Sequence, residues 1–261
     1  MPDFRRKLNT SPVPRLGGIG FFLSFFTVLI IKGVALYGFS PLDISLLLAG
    51  GLSLLFGAVD DFFDLTPLCK LTLQIICAVC AMSLAPQTYP IYLALPFVLL
   101  MMNAYNFIDG LDALAASLSL SSLLFISLSA LLFLNTGMGV TPLLLFFSVL
   151  GFIPLNAHPA SLYMGECGSS TLGVSIAVIM LSLPPPLLLL AVSFSIIPIF
   201  DALVAIPRRL LCGRSPFSAD RGHLHHRLLS LGVSHPAAVN FLLLLSVLLS
   251  LISIFAFILL G

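Results

Sequence analysis

Charged residues are scarce in this chain of 261 residues. Lysine, arginine, aspartate and glutamate together make up 8% of the sequence, whereas hydrophobic residues make up 59% and the mean hydropathy is +1.18. So few polar side chains cannot coat a soluble domain of this length. The composition therefore excludes a soluble globular protein and indicates a helical protein that crosses a membrane several times.

Other absences narrow the class further. The apolar runs are continuous rather than alternating, which argues against transmembrane β-strands. No fixed-period repeat or low-complexity linker divides the sequence, so we expect a single domain over residues 1–261. The polar, basic N-terminal segment leads directly into a long apolar run, which is not the pattern of a cleavable signal peptide. Cys77 and Cys80 form a C-x-x-C pair, but their apolar surroundings favour a buried helix over a redox or metal pair, and no disulfide is expected.

Nine apolar segments lie between polar or Pro/Gly-containing breaks. A helix needs about 20 apolar residues to cross the hydrocarbon core, and several of these segments are short for a full crossing. We nevertheless predict an all-α polytopic membrane protein with about nine transmembrane helices. The segments are Leu16–Phe39, Leu42–Val59, Leu71–Ala85, Ile91–Phe107, Ala113–Leu134, Thr141–Leu155, Thr171–Leu183, Pro185–Ile206 and Pro236–Leu260.

The basic residues give the predicted orientation. If all nine segments cross, only Lys32 of the eleven lysines and arginines lies away from the N-terminal side. The positive-inside rule makes that side the cytoplasm, which leaves the C-terminus outside. The residues on the cytoplasmic side are Arg5, Arg6, Lys7, Arg15, Lys70, Arg208, Arg209, Arg214, Arg221 and Arg227.

The stretch N-A-Y-N-F-I-D-G-L-D, residues 103–112, places polar groups at the end of an apolar segment. Asn106, Asp109 and Asp112 are spaced by three residues and would share one face of a helix. Polar side chains near a bilayer are costly, which favours a functional site over a polar helix cap.

Adjacent carboxylates end the second apolar segment. Asp60 and Asp61 repel each other unless they share a cation or a proton, so they indicate a Mg²⁺ or proton-handling site. The alternative is a solvated turn at the end of a helix, assisted by Pro67. Lys70 closes this loop, either as an interface anchor or as a phosphate ligand.

Two further loops contain candidate functional residues. Glu166 lies between Gly165 and Gly168 before a predicted helix, where backbone N–H groups would face an anion, and it indicates a metal that bridges to phosphate. In the same loop Tyr163 could stack on a base or sit in the interfacial belt, and His158 is interpreted as a turn residue. The motif R-G-H-L-H-H-R, residues 221–227, is compatible with a metal cluster, a phosphate clamp or a surface for anionic lipid.

Together these motifs resemble the polyprenyl-phosphate N-acetylhexosamine-1-phosphate transferases, glycosyltransferase family 4. The resemblance covers nearly the whole chain, in the family's order. It rests on P-V-P-R-L-G-G, D-D-F-F-D-L with Lys70 and Gln74, N-A-Y-N-F-I-D-G-L-D, G-F-I-P-L-N-A-H-P-A-S-L-Y-M-G-E-C-G-S and S-P-F-S-A-D-R-G-H-L-H-H. The last motif is most similar to the undecaprenyl-phosphate N-acetylglucosamine-1-phosphate transferase branch.

The resemblance implies an enzyme of the bacterial cytoplasmic (inner) membrane, with its active site facing the cytoplasm. It would transfer a sugar-1-phosphate, N-acetylglucosamine-1-phosphate by preference, from a UDP-sugar to undecaprenyl phosphate and release UMP. The reaction would open the synthesis of a cell-envelope polysaccharide such as lipopolysaccharide or a cell-wall polymer. Mg²⁺ is the implied cofactor, with Mn²⁺ as an alternative. The implied partners are UDP-N-acetylglucosamine, undecaprenyl phosphate and the bilayer; a homodimer is compatible, and no nucleic acid is expected.

The resemblance also implies a role for each site residue. The implied Mg²⁺ ligands are Asn106 and Glu166. The implied catalytic carboxylates, which act on the lipid phosphate or support the metal, are Asp60, Asp61 and Asp109. The implied uridine pocket consists of Asp112, Asn156 and Tyr163. The implied pyrophosphate ligands are Lys70, Arg221, His223, His225 and His226.

The chain departs from the family pattern at three points, and the departures at Glu166 and at the N-terminal helix favour a second hypothesis. The family has Asp at the position of Glu166 and Gly at the position of Ala113, and it has a further helix before P-R-x-G-G. These differences are compatible with a catalytically impaired paralogue that binds nucleotide-sugar or lipid phosphate as an assembly partner. A small-solute transporter is a third hypothesis, but it would place polar groups near the bilayer midplane rather than at one end.

Overall fold

The computed structural model describes residues 13–84, 89–134, 137–213 and 222–260, which form helices without a β-strand among them. The predicted all-α class is therefore confirmed. Gly33–Tyr37 extends the first helix as a π-helical turn, and Gly137–Gly139 is a 3₁₀ turn before the sixth. The α-helices are α1 Gly17–Lys32, α2 Pro41–Phe63, α3 Pro67–Leu84, α4 Ile91–Ile108, α5 Leu114–Leu134, α6 Val140–Asn156, α7 Gly165–Leu181, α8 Pro185–Phe194, α9 Ile196–Leu211, α10 Leu224–Ser230 and α11 His235–Leu260.

The protein is a multi-pass membrane protein by the length and composition of its helices. Within the described residues, 6 helical segments are long and apolar enough to cross a bilayer, or 7 if the bent pair α8–α9 counts as one crossing. The remaining apolar helices, α3 and α7, are shorter. Each of the nine predicted segments overlaps one of these helices, but nine crossings and the orientation of the termini stay predictions.

The connection between α1 and α2 is fixed by a buried ion pair. Ser40 and Asp43 form a capping box at the start of α2, in which each side chain accepts a hydrogen bond from the other residue's backbone N–H. Lys32 Nζ lies 2.7 Å from Asp43 Oδ1 and donates to Thr141 Oγ1 at 3.2 Å. The lysine at the end opposite the other basic residues therefore has a structural partner.

Tyr89 makes a second link at this end of the bundle. It precedes α4, and its hydroxyl donates to the carbonyl of Leu183 at 2.7 Å. Burial raises the pKa of Tyr89 above its usual value, so the hydroxyl stays protonated as a donor. This bond joins the α3–α4 and α7–α8 connections.

Helix α7 is the central element, because nearly its whole length from Cys167 to Leu181 is buried. Glycines let its neighbours approach closely, as is typical of helix packing in membranes. A Cβ on Gly57 of α2 would overlap the Cys167 backbone, and one on Gly173 would overlap the backbone of α4 at Met101. This packing places the start of α7 beside the ends of α2 and α4.

Helices α8 and α9 meet at Ser195 with a bend of 78°. A buried hydroxyl cluster fills the bend. Ser195 Oγ lies 2.9 Å from Ser122 Oγ and 3.1 Å from Tyr105 Oη, and Ser122 donates to the carbonyl of Phe194 at 2.8 Å. These bonds supply partners for polar groups that a continuous helix would have satisfied. The predicted segment Pro185–Ile206 is thus two helices, and the bend sets the direction of α9.

Candidate active site

The start of α7 is held by a carboxylate from α2. Gly165 has a φ of 76°, and a Cβ there would overlap the carbonyl of Arg15, so only glycine fits without strain. The backbone N–H groups of Glu166 and Cys167 then donate to Asp61 Oδ1 and Oδ2, both at 2.9 Å. Asp61 therefore caps α7 from another helix, where the helix dipole also favours a negative charge.

Asp60 faces a different set of groups from its neighbour. Its side chain is 6% exposed, its Oδ1 accepts a hydrogen bond from Leu65 N at 2.7 Å, and its Oδ2 pairs directly with the ammonium of Lys70. Lys70 Nζ also lies 3.5 Å from Glu166 Oε2. The ammonium group thus bridges carboxylates from α2 and α7.

Glu166 connects α7 to the polar end of α4. Asn106 Nδ2 donates to Glu166 Oε2 at 2.6 Å and to Ser169 Oγ at 3.3 Å. Ser170 Oγ donates to Glu166 Oε1 at 2.8 Å. The structure therefore brings Asn106 and Glu166, the two residues implied as metal ligands, into direct contact.

A small cavity opens beside these groups. Its polar end is formed by Asp60, Lys70, Glu166 and Ser170. The lining also includes Ser53, Gln74 and apolar side chains such as Phe56, Leu65, Leu73 and Met102. The cavity therefore combines a charged end with a largely apolar wall.

The donor set around Glu166 fits Mg²⁺. Magnesium prefers oxygen ligands and is usually bound by one or two protein groups together with waters and substrate phosphates. The Glu166 carboxylate and the amide oxygen of Asn106 could supply such ligands after the amide turns. Asp61 is less available to a metal, because both of its oxygens already accept backbone hydrogen bonds.

Asp112 belongs to a separate cluster. Its Oδ2 lies 2.7 Å from His158 Nδ1 and accepts a hydrogen bond from Ala160 N at 3.2 Å. The rings of His158 and His235 are 4.3 Å apart between centroids. His158, interpreted from sequence as a turn residue, is thus also a side-chain partner. Asp112, His158 and His235 bring ligand atoms within 4.8 Å of one another. Two of these ligand atoms are nitrogens, which suit transition metals better than Mg²⁺.

Asn156 ties the α4–α5 turn to the α6–α7 loop. It is buried, accepts a hydrogen bond from Ala113 N at 3.0 Å and donates to the carbonyl of Leu162 at 3.0 Å. Ala113 has a φ of 63°, a left-handed conformation that explains why glycine suits this position in the family. Tyr163 is anchored by its backbone, which bonds to Pro14 and Gly17 at 2.9 Å each. Asp112, Asn156 and Tyr163 therefore lie on connected segments.

The segment that contains His223, His225 and His226, called the histidine segment below, packs against the end of α4. His225 is 1% exposed, and a Cβ on Gly110 would overlap its ring, so the two residues are in close contact. The rings of His225 and His226 are 4.2 Å apart between centroids. Asp109, the C-cap of α4, immediately precedes Gly110. Arg221, a predicted pyrophosphate ligand, lies outside the described residues.

Sequence reasoning missed Asp201. This residue lies within the predicted segment Pro185–Ile206 and was not singled out. It is 2% exposed, and its Oδ2 lies 2.8 Å from His223 Nδ1. A lone carboxylate inside an apolar segment was an available signal, because such residues are costly unless they have a partner.

Comparison with known proteins identifies the family. Residues 44–183 match the family described as glycosyl transferase family 4. The chain is 31% identical to the decaprenyl-phosphate N-acetylglucosaminephosphotransferase of Mycolicibacterium smegmatis, over 90% of this chain and 69% of that protein. It is 32% identical to a probable undecaprenyl-phosphate N-acetylglucosaminyl 1-phosphate transferase of Bacillus subtilis, over 90% and 70%.

A third relative comes from Thermotoga maritima. This undecaprenyl-phosphate alpha-N-acetylglucosaminyl 1-phosphate transferase is 30% identical, over 86% of this chain and 70% of that protein. The resemblance seen in the motifs is therefore confirmed: the chain belongs to glycosyl transferase family 4.

Proposed function

We propose that this chain transfers N-acetylglucosamine-1-phosphate from UDP-N-acetylglucosamine to undecaprenyl phosphate and releases UMP, as the first membrane step of a cell-envelope polysaccharide. The relatives named above support the lipid acceptor and the sugar phosphate. The observation that carries the proposal is the convergence of Asp60, Lys70, Asn106 and Glu166 at the start of α7. Two carboxylates, an ammonium and an amide in direct contact form a site for phosphate groups and a divalent cation.

The reaction would proceed by displacement at phosphorus. An oxygen of the lipid phosphate forms a bond to the sugar-linked phosphorus, the bond from that phosphorus to the oxygen of UMP breaks, and UMP leaves with the electron pair. Asn106 and Glu166 would hold Mg²⁺, which when bound neutralises charge on the phosphate oxygens. The protein mainly positions the reactants and screens their charge.

The remaining side chains divide this work. Lys70 would contact a phosphate oxygen, and Asp60 would keep the ammonium in place and orient the lipid phosphate beside it. Asp61 would act through α7, because its two backbone hydrogen bonds fix the position of Glu166. Asp109 would support the metal and nucleotide end of the site, next to the histidine segment.

The location follows from the distribution of charge. We propose that α3 and α7 complete nine crossings together with the longer helices. This topology would place the ends of α2, α4 and α9 and the start of α7 on the cytoplasmic face of a bacterial inner membrane. The exposed apolar side chains of α11, including Leu244, Phe255 and Leu259, would face lipid.

An assay of UMP release tests the function. Purified protein in detergent receives undecaprenyl phosphate, Mg²⁺ and one UDP-sugar at a time, and we expect UMP with UDP-N-acetylglucosamine. EDTA should abolish release and excess Mg²⁺ should restore it. Release that survives EDTA would contradict the metal assignment.

The second candidate is a paralogue that binds substrate without transfer. Glu166, in place of the family's aspartate, favours it because the longer side chain is already engaged by Asn106 and Ser170. This candidate predicts nucleotide-sugar binding by titration calorimetry but no UMP with any UDP-sugar of the panel. UMP release above a heat-inactivated control would exclude it.

A further inference from the structure

Asp201 is a buried carboxylate that the proposed mechanism does not use. It lies on α9 and is 2% exposed. Its Oδ2 lies 2.8 Å from His223 Nδ1, and its Oδ1 accepts a hydrogen bond from Leu224 N at 2.9 Å. Both oxygens are therefore committed to the segment where α10 begins.

The imidazole of His223 is constrained on several sides. It is 5% exposed and lies 5.3 Å from the ring of Phe107, between centroids. The ring of His225 is nearly parallel to it, at 5.9 Å and an interplanar angle of 6°. Because α10 is also capped by Asp201, neither the ring nor its backbone can turn without breaking these contacts.

A carboxylate that is hydrogen-bonded to one imidazole nitrogen determines the role of the other nitrogen in hydrogen bonding. With Nδ1 hydrogen-bonded to Asp201, Nε2 is the ring nitrogen left for a second ligand. When both ring nitrogens carry a proton, Nδ1 donates to Asp201 and Nε2 can donate to an oxyanion. Carboxylates play this part beside metal-bound histidines, where their loss typically reduces function by about 10- to 100-fold.

We propose that Asp201 is a positioning residue that acts through His223 and orients its Nε2 toward a phosphate oxygen of the nucleotide-sugar. This inference rests on the proposed function, in which the histidine segment meets the pyrophosphate. It adds a residue on α9, from outside the motifs noted in the sequence. It also gives a functional reason for the bend between α8 and α9, because the bend directs Asp201 toward α10.

The test is a double-mutant cycle with the isosteric variant Asp201→Asn. The amide can still accept one hydrogen bond but carries no charge, so we expect kcat/KM for UDP-N-acetylglucosamine to fall by roughly 10-fold or more. The KM for undecaprenyl phosphate should change by less than about 2-fold, since that substrate does not contact His223 in this account. Combining Asp201→Asn with His223→Gln should give no further loss beyond His223→Gln alone.

The matched control is Asp43→Asn, which removes a buried carboxylate from the opposite end of the bundle. It should lower the melting temperature without separating the two KM values. Multiplicative losses in the cycle, or equal changes in both KM values, would overturn the proposal and leave Asp201 a structural cap. If Asp201→Asn does not fold, Asp201→Glu enters the same cycle with a smaller expected loss, because the charge is retained.

Binding of UDP separates this proposal from the proposed function. We expect titration calorimetry to show UDP binding to the wild type that Asp201→Asn weakens by at least about 5-fold, whether or not UMP is released. Wild-type binding without UMP release would refute the transfer reaction alone. Equal UDP affinity of the wild type and Asp201→Asn would refute the positioning role alone.

Discussion

Asp61 and Asp60 are adjacent in sequence and have different partners. Asp61 bonds to two backbone N–H groups of α7, whereas Asp60 pairs with Lys70. Adjacent residues of a helix point about 100° apart, so the pair spans the gap between α3 and α7. A pair of carboxylates that looks equivalent in sequence therefore has two roles in the structure.

Replacing Asp61 should disturb α7 and the reaction together. Asp61→Asn offers one good acceptor to two donors, so we expect a loss of about 1 kcal/mol in stability and a marked fall in kcat. The control is Asp64→Asn, because Asp64 is exposed and has a φ of 47°, a conformation that asparagine accepts. Melting curves and UMP release measure both effects. An Asp61→Asn variant with wild-type kcat would contradict the role given to this cap.

Substitutions of Glu166 test most directly whether this residue is a metal ligand. Glu166→Asp restores the residue type of the family, and we expect turnover to be kept or raised, because Mg²⁺ demands a precise ligand geometry. Glu166→Gln removes the charge and should reduce turnover by at least about 10-fold at limiting Mg²⁺. UMP release over a Mg²⁺ titration measures both variants. Wild-type turnover of Glu166→Gln at limiting Mg²⁺ would mean that Glu166 is not a metal ligand.

In α7, close packing rather than hydropathy determines where the helix begins. The predicted segment begins at Thr171, but the helix begins at Gly165, because glycine and serine in its first turns lower its apolar character. Those small residues let α1, α2 and α4 approach its backbone, and such contacts form only in the tertiary structure. The division of Pro185–Ile206 at Ser195 depends likewise on hydroxyl groups from α4 and α5.

Substitutions at two glycines of α2 distinguish the effect of close packing on stability from the effect of helix propensity. Gly57→Ala should destabilise the protein by about 1–3 kcal/mol, because the methyl group would overlap the Cys167 backbone. Gly51→Ala, in the same helix, has nothing within 4 Å of the added methyl group and should be neutral or stabilising by up to about 1 kcal/mol. Melting temperatures in detergent measure the difference. Equal shifts for the two variants would contradict the packing of α2 on α7.

Among the described residues, Asp60, Lys70, Asn106 and Glu166 meet at the start of α7, close to the end of α4. The charge distribution predicts that the ionisable groups gather on one side of the membrane, and the family resemblance implies Asn106 and Glu166 as metal ligands; both stay predictions. Neither could reveal that Asp61 caps α7 or that Asp201 holds His223, because these contacts join residues more than twenty positions apart through the packing of helices. Partners of single buried carboxylates depend on tertiary structure, whereas clusters of polar residues are visible in the chain itself.

The central claim is that the end of α2, the start of α3 and the end of α9 lie on one face of the membrane, toward the cytoplasm. Two native cysteines report on it, since Cys69 at the start of α3 and Cys212 at the end of α9 are both exposed. A membrane-impermeant thiol reagent should label both in inverted vesicles and neither in intact cells. Phe39→Cys, at the opposite end, where Phe39 is 41% exposed, should be labelled in intact cells. Labelling of Cys69 and Cys212 from opposite sides of the membrane would contradict the shared site.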